Sequence, residues 1–151
     1  MPMPWAYRHA TKDWQAFLAD AKEALGLTSD NMAYTAVQGV LLTFRRRLAP
    51  REVMAFADVL PAVLRAIFVA GWDPLAPPLP WADRATLEAE AGQLRKHHNL
   101  TPPEPIAPVA RALRRSLRQP DLERVLLRIG PQAQAFWQVD DDPATLPRRI
   151  V

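Results

Sequence analysis

Sixteen prolines punctuate this 151-residue chain, against only five glycines. Proline lacks a backbone donor and clashes with the preceding turn, so no helix runs far through one. The sharpest case is Trp72-Asp-Pro-Leu-Ala-Pro-Pro-Leu-Pro-Trp81, whose four prolines forbid a helix and favour polyproline II or turns. Thr101-Pro-Pro-Glu-Pro105 is a second firm break. Between the breaks, apolar residues recur at helical spacing, and no stretch alternates apolar with polar residues. The fold class read from this pattern is all-α, with about eight helices.

Helices are expected over residues 12–25, 31–48, 50–60, 61–70, 84–97, 106–117 and 120–129, with a short last one from Pro131. Thr11, Asp30 and Asp83 are the candidate caps, and Gly26 closes the first helix. Trp14, Phe17, Leu18, Ala21 and Leu25 form one buried stripe, and Ala33, Val37, Val40, Leu41, Phe44 and Leu48 another. Gly39 costs about 1 kcal/mol inside a helix, which a close helix crossing would offset. Trp72, Leu75, Leu79 and Trp81 are too apolar for a solvated tether, so residues 72–82 are expected to lie across the helices as a packed strap.

A shift of 69 residues superimposes the halves without a gap. It carries Leu18 onto Leu87, Val40 onto Val109, Phe44 onto Leu113, Arg45-Arg46 onto Arg114-Arg115, and Leu48 onto Leu117. Farther on, Phe56 meets Val125, Leu60 meets Ile129, and Ile67-Phe68 meets Phe136-Trp137. Apolar coincidences are cheap, but the dibasic match is not. The expected organisation is a tandem duplication of a four-helix unit, over 11–71 and 83–138. A unit of that size is marginal alone, so the halves should pack into one domain over 1–140. Eight helices could pack in a globin-like way. Residues 141–151 should form a mobile tail.

Composition limits the chemistry. Hydrophobic residues are 49%, enough for a core, and the net charge is only +3. There is no cysteine, which excludes disulfides and thiolate sites. Met1 to Ala10 has no apolar run, so no signal peptide is expected, and no stretch approaches a membrane span. A cytoplasmic protein is expected. His9, His97 and His98 show no metal-ligand spacing. Ser29 and Ser116 lie in no nucleophile elbow, and no phosphate-binding glycine pattern occurs. No enzyme, metal or cofactor is expected.

Arginine is the best polar signal. Arg111, Arg114, Arg115 and Arg118 share a helical face opposite the apolar stripe, and Arg45 and Arg46 belong to a run closed by Arg47. Such a face is a solvated or protein-docking surface, or else a phosphate-backbone binder. Aromatic residues are not interleaved with it, as a single-strand binder would need. Trp5, Trp72 and Trp81 fall outside helical periodicity. They either pin their segments onto the bundle or anchor a partner.

At Asp30-Asn-Met-Ala-Tyr-Thr-Ala-Val, Phe44-Arg-Arg-Arg-Leu48, Phe56-Ala-Asp-Val-Leu-Pro-Ala-Val-Leu-Arg-Ala-Ile-Phe68 and Gly71-Trp-Asp-Pro74, the chain resembles a prokaryotic family. That family is the domain of unknown function numbered two-two-six-seven. The likeness covers about residues 10–140 and departs where Ile129-Gly130 replaces Leu60-Pro61. It implies an all-helical, duplicated bacterial fold and no activity. The functional expectation is a non-enzymatic protein-interaction or regulatory module, with self or another protein as partner. Trp72, Trp81, Arg45, Arg46, Arg111, Arg114, Arg115 and Arg118 are the interface candidates. The alternatives are a nucleic-acid binder using the Arg face, or a small-ligand pocket between the repeats.

Overall fold

A computed structural model describes residues 3–93 and 101–140. Every regular element among them is a helix. In chain order these are α1 (Trp5–Arg8), α2 (Ala10–Leu25), α3 (Asp30–Arg45), α4 (Pro50–Asp58), α5 (Ala62–Val69), α6 (Arg84–Gly92), α7 (Ile106–Arg115), α8 (Gln119–Ile129) and α9 (Pro131–Phe136). No described helix is long and apolar enough to cross a membrane.

The boundaries follow local chemistry. Gly26 closes α2 in the left-handed region at φ 69°, as expected of a glycine there. Asp83 caps α6 by accepting from the Thr86 N–H, which holds its carboxyl below the usual range. Two expected caps are corrected. Thr11 lies inside α2, which starts two residues earlier than expected because the His9 carbonyl takes the Asp13 N–H. Ser29, not Asp30, caps α3, and the Asp30 carboxylate pairs with Lys22 instead. The α1 turn carries no buried residue, so periodicity could not reveal it. The end of the helix expected over 84–97, with His97 and His98, and the tail expected at 141–151 lie outside the described residues.

The halves interleave. α2 packs on α7, and α6 packs on α3. In each case the first long helix of one half lies on the second of the other, as a tandem duplication would leave them. α4 meets α8 across the middle. Between the halves sits an aromatic core. The Phe44 ring lies 4.8 Å from Phe56, 5.0 Å from Phe136 and 5.3 Å from Trp137, and all four are buried. Side chains of this size contribute most of the apolar area removed from water.

Gly39 explains the α3–α6 crossing. A β-carbon there would collide with the Ala91 carbonyl oxygen. Glycine stands where one backbone meets another, and its helical cost is the condition of that approach.

The prolines keep residues 72–82 out of any helix, as read. Trp72 and Trp81 pack against the core. Leu75 does not: it is 92% exposed, and Leu79 is 44% exposed. The strap is therefore fastened at its ends and bare in its middle.

Candidate functional site

What fastens the strap is the arginine run at the end of α3. Arg45 donates to the carbonyls of Phe68 and Ala70, both at 2.9 Å, where the chain leaves α5. Burial and the neighbouring Arg46 lower its pKa from the ordinary value. The Arg46 carbonyl accepts the Leu79 N–H at 2.8 Å. Arg47 is buried and donates to the carbonyls of Pro80 and Thr43. Its guanidinium also grips both carboxylate oxygens of Glu90 on α6.

The second dibasic pair does matching work. Arg114 is 3% exposed and donates to the Trp137 carbonyl at 2.8 Å. Arg45 and Arg114 stand 69 residues apart, and so do their acceptors Phe68 and Trp137. The second member of each pair reaches across to the other half. Arg115 donates to the buried Asp20 of α2 at 3.2 Å, and Arg46 lies 3.6 Å from Glu90 of α6. The dibasic repeat is a set of clamps. Its first arginine holds a helix end, and its second faces a carboxylate of the opposite half.

This corrects the arginine face. α7 has no exposed residue, because α2 and the ends of α8 and α9 cover its polar side. Arg114 is interior, Arg115 is paired with Asp20, and Arg111 is only part-exposed. Arg118 alone of the four is exposed, with Asp121 beside it at 4.0 Å. Trp81 pins its end of the strap onto the bundle. Its ring lies 6.1 Å from Phe44 and 6.4 Å from Phe136, so it seals the core. The amphipathic pattern of residues 106–117 is real, but it distinguishes an apolar side from a clamped side, not from water.

Three candidates meet at one opening. Trp72, Arg46 and the carbonyl-bound Arg45 line a cleft of about 310 Å³ between the end of α3 and the bare middle of the strap, with Leu48, Pro77, Pro78 and Leu79. The Trp72 indole is half-buried, and its N–H makes no hydrogen bond among the described residues. The Arg46 side chain is 48% exposed and also makes no hydrogen bond there. Asp73 shares the cleft wall, but its carboxylate accepts the Leu75 N–H and shapes the turn. Leu79 is expected to pack and the prolines to break the helix; only the strap's observed path shows Pro77, Pro78 and Leu79 lining an opening.

A second cavity, of about 290 Å³, lies between α2 and α7 and so between the halves. Its charged walls are Asp20, Glu23, Arg111 and Arg115. Among the described residues, no group of three or more His, Asp or Glu side chains could hold a metal.

The family model of the uncharacterized conserved protein DUF2267 matches residues 14–136. The chain belongs to this family. Among curated proteins no match to it was found. The DUF2267 match runs from within α2 to the last residue of α9, and therefore takes in the strap cleft and all the clamp arginines, ending one residue short of Trp137.

Two carboxylates of the α6 region should respond oppositely to pH. Burial alone would raise the Glu90 carboxyl, but Arg47, Arg46 and Thr43 outweigh it and hold it below the ordinary 4.5. Its stabilising contribution is complete above that value and is lost as pH falls through the lowered one. Glu88 is raised by burial and by Glu104, against the pull of the Ile106 N–H and Arg84. Its carboxylate costs stability that is relieved as pH falls through the raised value. In urea unfolding, the advantage of wild type over Glu90→Gln should therefore shrink below pH 4.5. Wild type should instead gain on Glu88→Gln over acidification.

Proposed function

We propose that the chain is a non-enzymatic helical module of the bacterial cytoplasm that binds another protein through the strap cleft. The observation that carries this is that one small opening is lined both by Trp72, whose indole N–H makes no hydrogen bond among the described residues, and by Arg46, whose guanidinium keeps only a loose pairing with Glu90. Tryptophan and arginine dominate interface energetics because each combines apolar area with strong donors. Trp72 supplies the anchor, and Arg46 supplies orientation and association rate. The face of Arg111, Arg114, Arg115 and Arg118 is the weaker surface, since only Arg118, beyond the end of α7, is exposed.

The test is position-specific photocrosslinking in the native host. A crosslinking residue at Ala76, exposed on the cleft wall, should yield one discrete protein adduct. The same residue at Arg128, exposed on α8, should not. Nucleic acid at Ala76, or equal adducts from both positions, would sink the proposal.

A further inference from the structure

Arg46 and Arg115 hold matching places in the two halves, yet their circumstances differ. Arg115 donates directly to buried Asp20, and its side chain is 25% exposed. Arg46 stands off Glu90 at 3.6 Å and is 48% exposed. The difference lies in the next residue. Arg47 has taken both Glu90 oxygens, whereas the residue 69 positions on is Ser116, which bonds only within its own turn, to Leu113. Arg47 therefore takes over most of the interhelical work that Arg115 does alone, and Arg46 keeps only a loose 3.6 Å pairing with Glu90. That guanidinium belongs to a residue on the cleft wall.

A planar guanidinium with open donors matches a carboxylate fork to fork. The cleft wall also carries Arg45, already engaged by the Phe68 and Ala70 carbonyls, and the carboxylate of Asp73, so one guanidinium beside an acid is a poor seat for a polyanion held by many phosphates. The Trp72 indole N–H makes no hydrogen bond among the described residues and is available to an acceptor. A helical ligand has its carbonyls engaged internally, and at ~10 Å across it is broad for so small a cleft. A polyproline-II segment has no internal hydrogen bonds, so every carbonyl is open to a donor. Trp72, Pro77 and Pro78 line the cleft together, and an indole flanked by proline rings offers apolar surface against which such a segment can seat.

We propose that the cleft takes an extended, polyproline-II segment of a partner protein, with an acidic side chain on Arg46 and a backbone carbonyl on the Trp72 indole N–H. This rests on the docking reading above.

The test is selection of a random peptide library on the purified full chain. Wild type should enrich sequences that combine proline with aspartate or glutamate. Arg46→Gln should lose the acidic bias and bind the selected peptides roughly tenfold more weakly. Trp72→Phe keeps a ring and removes the donor, and should weaken them roughly fivefold. Both variants should retain the wild-type circular dichroism and unfold cooperatively, with the midpoint lowered only slightly by loss of the loose Arg46–Glu90 pair or of ring area at position 72. Enriched peptides that depend on position 72 but lack prolines or acidic residues would overturn this inference and leave the docking reading standing. No enrichment, or peptides indifferent to both substitutions, would overturn both. A synthetic peptide of residues 140–151 binding with the same two dependences would give the cleft to the chain's own end, and would also overturn the inference.

Discussion

Arg114→Met is expected to lower the unfolding free energy by about 3 kcal/mol, whereas Arg118→Met should change it by no more than about 0.5 kcal/mol. The two arginines are one helical turn apart in sequence and looked alike as members of one basic face. The structure separates them. Arg114 donates to the Trp137 carbonyl, to Gln119 at 2.9 Å and to Glu123 at 2.5 Å, with its side chain 3% exposed. Methionine keeps the apolar stem and removes the guanidinium, so the loss isolates the polar work. It strands the buried Trp137 carbonyl, and hydrogen bonds to a charged group contribute about 1.5–3 kcal/mol each. Glu123 is half-exposed and returns to water, which keeps the total near 3 kcal/mol. Arg118 has only a loose surface partner. Urea unfolding at neutral pH, with the slope checked for constancy, reads both values. Equal and small effects would put Arg114 back on a solvent face.

That contrast shows where the sequence was legible and where it was not. Helix positions were legible because each helix buries one stripe and each break carries proline or glycine. The stripe of Ala33, Val37, Val40, Leu41 and Phe44 is buried throughout, and Gly26 ends α2 as its lack of a β-carbon permits. Gly39 was legible as a close crossing, because an interior glycine needs some compensation. The cap at Ser29 was harder, since Ser29 and Asp30 are adjacent and both favour that position. The short α1 had no stripe at all.

The site was less legible for a physical reason. An arginine on the polar side of an amphipathic helix has the same sequence signature whether it meets water or the carbonyls of another helix end. The acceptors of Arg45 and Arg114 are 23 residues away, and Asp20 is 95 residues from Arg115. Backbone carbonyls, moreover, carry no residue identity to read. The dibasic repeat was visible, but its reason was tertiary. The same holds for Trp72 and Trp81, which read as equivalents at the two ends of one proline-rich segment. Only the strap's path sets Trp81 against Phe44 and leaves Trp72 on a cleft.

Gly39→Ala is expected to destabilise the protein by about 3 kcal/mol, at the upper end of overpacking costs. At an ordinary helix position the same change gains about 1 kcal/mol, so the sign itself is diagnostic. The added β-carbon would strike the Ala91 carbonyl oxygen and lie 3.1 Å from its carbon and 3.5 Å from the Ala91 α-carbon. These are backbone atoms, so no rotamer relieves the collision and α3 must part from α6. Parting them disturbs more than one contact, because Glu90 adjoins Ala91 and holds Arg47, which in turn holds the Pro80 carbonyl. Loss of peptide binding at the strap cleft should therefore accompany the loss of stability. Ala91→Gly in the same chain should restore neither, since the obstruction is the carbonyl and not the methyl group. Thermal or urea unfolding of the single and double variants decides the matter. A Gly39→Ala protein as stable as wild type would mean that α3 and α6 do not meet at this glycine, and the clamp geometry built on that crossing would fall with it.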